Sequence, residues 1–371
     1  MRIAIVGGDP RYLLNLRGAL IADLVGRGHV VLGLGGGDDP VVRAGIARLG
    51  AQYASFGLDR QGIAPRQELR TVGEITRHLR RFRAELVLSY TPKIIAYGTF
   101  AARLAGARRV HALMTGLGTA FIDERPERRL VNSTARTLLG AALRMVDGVI
   151  FQNPDDRDEL HRRGVLGKRA RVALVAGSGI DTAHFAHVPP PAPPPRFLLV
   201  ARVQREKGVL EYAEAARALR ASHPEVEVRL VGPLDSHPAA VSEAVVRGWE
   251  RDGALAWAGP VDDVRPELER ASVYVLPSYR EGTPRSVLEA LSVGRAIVTT
   301  DAPGCRETVR HGDNGFLVPV RDPGALRAAM ERFVREPELI PRMGQRSRAL
   351  AEARYDVRKV NAAMVEALGL G

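Results

Sequence analysis

Cysteine is almost absent from this chain. Cys305 stands alone, which rules out an internal disulfide and any metal cluster built on cysteines, and suits a reducing compartment. Lysine is scarce as well. Only four of the 54 basic residues are lysines, so a lysine at the head of a helix carries more information here than an arginine would. No stretch of about 18 apolar residues occurs, because Arg, Gly or Pro interrupts the longest ones, and no membrane-spanning helix is expected. Aromatic residues make up 5% of the chain, too few for a stripe that stacks bases, which weighs against a basic nucleic-acid-binding protein. The opening Met1-Arg2-Ile3-Ala4-Ile5-Val6-Gly7-Gly8 reads as a buried strand entering a glycine loop rather than a signal peptide, so export is not expected.

What is present points to two cores. The 371 residues exceed what one core usually organises, and a hydrophobic fraction of 45% can fill two. Apolar runs without alternation occur at Ile3 to Val6, Val30 to Leu34, Leu86 to Ser89, Val110 to Met114, Val149 to Phe151 and Val172 to Val175, separated by segments of helical period. Such strands are buried on both faces, and their alternation with helices predicts a parallel, doubly wound sheet. The pattern restarts at Phe197 to Ala201, Val226 to Val231, Leu255 to Ala258, Val273 to Leu276 and Ala296 to Thr299. Between the two series lies Val188-Pro-Pro-Pro-Ala-Pro-Pro-Pro-Arg196, stiff and unable to join a sheet. The expected division is a Rossmann-like domain over 1–187, a linker over 188–196, a second Rossmann-like domain over 197–352, and a C-terminal helix in 353–371 that packs back on the first domain.

Charge is unevenly shared. Residues 1–185 hold 28 basic and 17 acidic side chains, a net of +11, whereas residues 186–371 hold 26 and 25. Arg77, Arg80, Arg81 and Arg83, and Arg125, Arg128, Arg129 and Arg136, recur at spacings that place several on one helix face. A domain so biased faces something anionic, whether nucleic acid, lipid or a phosphorylated substrate; arginines decorating solvated helices give the same count.

Ligands of doubly wound sheets collect beyond the carboxyl ends of the strands, where helix N-termini offer free amides. Three segments of the second half fall there. In Val200-Ala201-Arg202-Val203-Gln204-Arg205-Glu206-Lys207-Gly208, Arg202 can fork onto a diphosphate and Lys207 supplies a point charge before a helix beginning near Gly208. In Leu276-Pro277-Ser278-Tyr279-Arg280-Glu281-Gly282-Thr283-Pro284-Arg285-Ser286-Val287-Leu288-Glu289, two carboxylates and a row of backbone amides point to one crevice. Carboxylates suit sugar or ribose hydroxyls, and the amides suit phosphate or sugar oxygens. A solvated loop Glu and a dipole-favoured helix Glu would look the same. The third, Trp257-Ala258-Gly259-Pro260-Val261, offers backbone to a nucleobase edge, or is a plain turn.

In combination, Arg202 with Lys207, then Glu281 and Glu289 within Pro-Ser-Tyr-Arg-Glu-Gly-Thr-Pro-Arg-Ser-Val-Leu-Glu-Ala, resemble the donor site of the family 4 retaining glycosyltransferases with a GT-B fold. The likeness continues through Gly294-Arg295-Ala296-Ile297-Val298-Thr299-Thr300-Asp301 and Asn314-Gly315-Phe316-Leu317-Val318. It implies an α/β protein in which two Rossmann-like parallel-sheet domains face each other across a cleft. It further implies that Arg202 and Lys207 hold the diphosphate of a UDP-sugar and stabilise the departing UDP, that Glu281 contacts the donor sugar, and that Glu289 contacts the ribose. Gly282, Thr283, Pro284, Ser286 and Val287 complete that donor set with Val261. Fixed cations then stand in for a metal, and no metal or cofactor is expected. The triplet Asp156-Arg157-Asp158 follows Asn153-Pro154 and reads as charge at a helix start rather than a metal site.

In the first half, Gly7-Gly8-Asp9-Pro10 lets backbone approach donor phosphates or acceptor, but it lacks G-x-G-x-x-G spacing and does not support a dinucleotide fingerprint. Ser89-Tyr90-Thr91-Pro92-Lys93 and Met114-Thr115-Gly116-Leu117-Gly118-Thr119-Ala120-Phe121 resemble segments of a bacterial subgroup that elongates undecaprenyl-diphosphate-linked sugars, including the α-1,3-N-acetylgalactosaminyltransferases acting on bacillosamine carriers. By that likeness Lys93, Thr115, Gly116, Leu117 and Gly118 line the acceptor site; a surface lysine and a glycine turn are the plain alternative. Many relatives carry a His where this chain has Thr115-Gly116, and His111 inside the preceding strand reads as packed, so no side-chain base is assigned. A front-face mechanism is implied. The expected enzyme is a cytoplasmic glycosyltransferase, peripheral at the inner face of the membrane through its basic first domain. It would pass a sugar, best N-acetylgalactosamine or a related HexNAc, to a polyprenyl-diphosphate-linked sugar in bacterial glycan or glycoprotein assembly. The runner-up is the same fold with a soluble acceptor such as an inositol phosphate.

Overall fold

In a computed structural model the chain forms two compact units, Met1–Ser178 with Val360–Gly371, and Gly179–Lys359. The residues described are 1–59, 65–118, 121, 129–166, 170–235 and 240–371; Thr119, Ala120, Arg125 and Arg128, named above, lie outside them. The first unit runs β1 (Arg2–Gly7), α1 (Pro10–Gly26), β2 (Val30–Gly36), α2 (Pro40–Arg48), β3 (Gln52–Phe56), α3 (Pro65–Phe82), β4 (Leu86–Tyr90), α4 (Pro92–Ala105), β5 (Arg109–Met114), α5 (Arg129–Leu143), β6 (Gly148–Phe151), α6 (Pro154–Arg162) and β7 (Arg171–Leu174). Its strands pair in the order β3-β2-β1-β4-β5-β6-β7, and every ladder is parallel. One apolar core lies on each face. Leu139, Ala142, Ile95 and Leu79 belong to one, and Leu13, Leu20, Ile21 and Ile46 to the other.

The second unit contains β8 (Arg196–Val200), α7 (Val209–Ser222), β9 (Glu227–Val231), α8 (Glu243–Arg251), β10 (Ala256–Trp257), α9 (Arg265–Arg270), β11 (Val273–Leu276), α10 (Arg285–Val293), β12 (Ala296–Thr300), β13 (Gly315–Val318), α11 (Pro323–Arg335) and α12 (Leu339–Leu350). The sheet order is β10-β9-β8-β11-β12-β13, again parallel throughout. The proline-rich stretch 188–196 belongs to this unit. The final helix, α13 (Val357–Ala367), begins in the second unit and ends in the first, where Met364, Val365 and Leu368 are buried with Ile3, Ile5 and Ile150.

Local chemistry starts many of these helices in one way. Asp9-Pro10, Asp39-Pro40, Asn153-Pro154 and Asp322-Pro323 each place an Asx side chain on free backbone N–H groups, and a proline whose missing N–H costs nothing at the first helical position. At Asn153 the cap also reaches Asp156, with Nδ2 donating to Asp156 Oδ2 at 3.1 Å, while Asp158 pairs with Arg157 at 2.7 Å. Asp156 thus serves the helix start, whereas Asp158 lies past the first turn and pairs with its neighbour.

The sheets have seven and six strands where apolar runs indicate six and five. β3 reads Gln-Tyr-Ala-Ser-Phe and is an edge strand with only Phe56 buried, so no apolar run marks it; β13 is the opposite edge of the second sheet. In each sheet the order reverses beside the first strand, between β1 and β4 and between β8 and β11. A doubly wound sheet opens its ligand crevice at such a reversal.

Candidate active site

The second unit brings the exits of β8 and β11 together, because those strands are hydrogen-bonded neighbours. Tyr279 N and Ser278 Oγ lie 2.9 and 3.0 Å from Glu206 O, so the two exit loops are stitched through one carbonyl. Gly208 closes the stitch. Its φ is +71°, and a Cβ there would stand 2.1 Å from Pro277 O. No other residue type meets both demands.

On this frame Lys207 Nζ donates to Glu281 Oε1 at 2.5 Å, and Ser278 Oγ stands 2.7 Å from the same carboxylate oxygen. Arg202 does not sit on Lys207. Its Nη1 donates to Asp235 Oδ2 at 3.0 Å, Gln204 Nε2 donates to the same oxygen at 2.8 Å, and the Arg202 side chain stays half exposed. Asp235 lies just beyond β9, the strand next to β8. Glu281 N bonds to Pro303 O at 2.9 Å, and Gly304 lies so close to Glu281 O that a Cβ would stand 2.3 Å from it. Cys305 is fully buried beside this loop, where burial pushes its thiol up to about 12, outside the reactive range.

Glu289 lies one turn into α10 and accepts from Arg285 Nε at 3.0 Å. Burial raises its carboxyl above the ordinary value, and Arg285 only partly offsets this. Pro284 occupies the helix cap. Ser286 reaches the buried Tyr274 hydroxyl, which itself donates to Val200 O at 3.1 Å. The Val287 side chain is in the core and its N–H bonds to Pro284 O, so it presents neither group to a ligand. Gly282 is buried and Thr283 half-buried in the turn before the helix, and Val261 is exposed past β10. Sequence reasoning thus placed both carboxylates and both cations at strand exits, yet missed Asp235, Ser278 and Arg285. The Asp just past β9 was the available signal, since β9 is the hydrogen-bonded neighbour of β8 and its exit adjoins the loop that carries Arg202.

In the first unit the exits of β1 and β4 adjoin at the reversal. Gly7 is glycine because the Tyr90 ring crosses it, with the hydroxyl 2.1 Å from where a Cβ would be, and Gly8 packs on Ile94. Close packing thus accounts for Gly7, whereas at Gly8 a Cβ would stand 3.2 Å from the Ile94 side chain, a tight contact that does not by itself demand glycine. Lys93 Nζ donates to Asp59 O at 2.6 Å and Glu68 Oε1 at 2.9 Å, tying α4 to the start of α3. Gly116 and Gly118 have φ of +128° and +76°, Gly118 packs on Pro92, and Leu117 is buried, so the turn after β5 rests against the head of α4 beside Lys93 while Thr115 stays half-buried. His111 is far from this role. It pairs with Gly148 across the ladder, fills the space a side chain there would need, and is held down to about 4 by burial.

Two family descriptions match the chain in tandem: "Glycosyl transferase 4-like domain" over residues 16–177 and "Glycosyl transferases group 1" over residues 194–336. The chain belongs to the family 4 glycosyltransferases. This glycosyltransferase is 25% identical over 304 residues, 78% of each chain, to N,N'-diacetylbacillosaminyl-diphospho-undecaprenol alpha-1,3-N-acetylgalactosaminyltransferase of Campylobacter jejuni. Its fold is that of a sucrose-phosphate synthase from Thermosynechococcus elongatus, with a TM-score of 0.82, 20% identity, and 99% and 98% of the two chains covered. It is also that of Anabaena HepE in complex with UDP and glucose, with a TM-score of 0.79, 17% identity, and 100% and 99% covered. These likenesses make the architecture GT-B. Among the described residues, no helix of the glycosyltransferase is long and apolar enough to cross a membrane.

Proposed function

We propose that this glycosyltransferase moves a sugar, a HexNAc such as N-acetylgalactosamine, from a UDP-sugar to a polyprenyl-diphosphate-linked sugar with retention of configuration, as a step of bacterial glycan or glycoprotein assembly. The observation that carries the donor half is the Lys207–Glu281 contact at the β8/β11 reversal, with Arg202 in the β8 exit loop and the half-buried Glu289 one turn into the helix that follows the β11 exit. Arg202 and Lys207 hold the diphosphate; when UDP binds, its phosphates compete with Asp235 and Glu281 for these cations. Glu281, released from Lys207, takes hydroxyls of the donor sugar, and Glu289 takes the ribose. The acceptor half is supported by the likeness to the Campylobacter jejuni enzyme, by the +11 charge of residues 1–185, and by Lys93 beside the Thr115–Gly118 turn.

In the reaction the bond from the anomeric carbon to the β-phosphate oxygen breaks as the acceptor oxygen arrives on the same face. The acceptor proton passes to the departing phosphate, so UDP leaves with the proton the hydroxyl loses. Charge growing on that phosphate is met by two positioned cations, the form of electrostatic catalysis that needs no proton bookkeeping by a side chain. The enzyme works at the inner face of the cell membrane. The test offers UDP-N-acetylgalactosamine, UDP-N-acetylglucosamine and UDP-glucose with a polyprenyl-diphosphate-linked HexNAc and, in parallel, with an inositol phosphate, with and without EDTA, and assigns the new linkage by NMR. An α-linked product formed in EDTA is expected; transfer only to an inositol phosphate, or a β-linkage, overturns the reading.

A further inference from the structure

Eleven of the thirteen exposed large apolar side chains among the described residues belong to the first unit, the unit that also carries nearly all the net charge. Their distribution within it is not random. The three most exposed are Leu130 at 80%, Leu69 at 73% and Val41 at 69%, and each lies within the first five residues of a helix, α5, α3 and α2 respectively. Each of these helices returns to the next strand through a short connection, so all run antiparallel to the strands. Their first turns therefore stand at the carboxyl edge of the sheet, the edge that holds Lys93 and the turn after β5.

Two of the three flank that turn directly. α3 and α5 both pack against α4, one on each side. Leu69 follows Glu68, the residue paired with Lys93 at the head of α4, and Leu130 opens α5 on the other side. Arg66 and Arg70 beside Leu69, and Arg129 beside Leu130, are exposed as well. Single exposed leucines are ordinary. Two of the most exposed, each bordered by arginine and bracketing one mouth, match a surface whose inner layer is apolar and whose outer layer is anionic.

We propose that Leu69 and Leu130 are interfacial anchors that seat the carboxyl edge of the first unit on an anionic phospholipid surface, with Arg66, Arg70 and Arg129 on the lipid phosphates. This rests on the polyprenyl-linked acceptor reading and sharpens it: the same edge that receives the acceptor diphosphate lies on the bilayer carrying it. The basic clusters at the C-terminal ends of α3 and α4, with Leu104 at 59% exposure, face away from this surface and serve as the control.

The test is flotation of the full-length protein with phosphatidylcholine vesicles, with and without phosphatidylglycerol, comparing wild type, Leu69→Ser with Leu130→Ser, and Leu104→Ser. Wild type is expected to float with the anionic vesicles and to be released by salt. The double variant should bind about tenfold or more weakly, and Leu104→Ser should bind as wild type. Thermal shift with UDP, unchanged in the double variant, shows that the fold and donor site are intact. Equal binding by the double variant, equal loss in Leu104→Ser, or capture by nucleic acid in place of vesicles overturns the surface. Failure of the two ideas is separable. Transfer to a lipid-linked acceptor in detergent by a protein that never floats removes the surface and keeps the reading, whereas Leu69- and Leu130-dependent flotation by an enzyme that uses only soluble acceptors removes the reading and keeps the surface.

Discussion

Gly208→Ala is the substitution whose cost the structure lets us work out in most detail. Two penalties apply at once. With φ at +71°, any residue carrying a Cβ sits in the left-handed region, which costs about 1–2 kcal/mol, offset by up to about 1 kcal/mol because alanine also restricts the unfolded chain. The new methyl would then lie 2.1 Å from Pro277 O and 2.6 Å from Pro277 C. Relief requires the two backbone segments to part by about 1 Å, an overpacking cost of about 1–3 kcal/mol. A total of about 1–5 kcal/mol follows, of which only the first part is generic. Gly253 supplies the reference, since its φ is +69° and nothing lies within 4 Å of a Cβ there. Both tryptophans, Trp249 and Trp257, lie in the second unit, so fluorescence during urea unfolding reports the unit that contains both glycines. Gly208→Ala should lower the midpoint clearly more than Gly253→Ala, and donor turnover should fall with it because Pro277 leads into Ser278 and Glu281. Equal midpoints for the two variants would refute the argument that close approach, rather than backbone hand alone, requires glycine at 208.

Other outcomes follow from the same geometry. Lys207→Met should reduce transfer about 10²–10³-fold with a smaller change in donor KM, as expected for a group acting on the leaving phosphate; a loss confined to KM would assign it to ground-state binding. Asp235→Ala removes the carboxylate that Arg202 and Gln204 share, and should change donor KM several-fold while leaving the Trp-monitored unfolding midpoint almost unmoved, since that ion pair is half exposed. His111 is held down to about 4 in the fold against 6.5 when free, so the unfolded chain takes up the proton first on acidification. Stability should therefore be full above about pH 6.5 and fall towards pH 4 by up to about 3 kcal/mol. Urea titrations of wild type and His111→Leu at pH 7.5 and 5 give the difference; parallel losses in both proteins would remove His111 as the cause.

Much of this molecule can be read one residue after another. Apolar runs without alternation mark buried parallel strands because burial on both faces leaves no polar side, and Asx-Pro pairs mark helix starts because capping is a contact over two or three residues. By the same local logic the order of residues alone puts Arg202, Lys207, Glu281 and Glu289 at or just past strand exits. Edge strands such as β3 escape this reading, since a half-exposed Gln-Tyr-Ala-Ser-Phe has no burial signature. What only the tertiary structure decided is who meets whom. Lys207 and Glu281 are 74 residues apart and touch because β8 and β11 are neighbours across the sheet reversal. Arg202 turns instead to Asp235 beyond β9, and Glu289 to Arg285 on its own helix. Of the two like-charged pairs in the sequence, only Lys207 and Glu281 meet each other, while Arg202 and Glu289 each take an opposite charge from outside the set, because a charge in a partly desolvated crevice lowers its energy by pairing with whatever opposite charge the fold brings nearest.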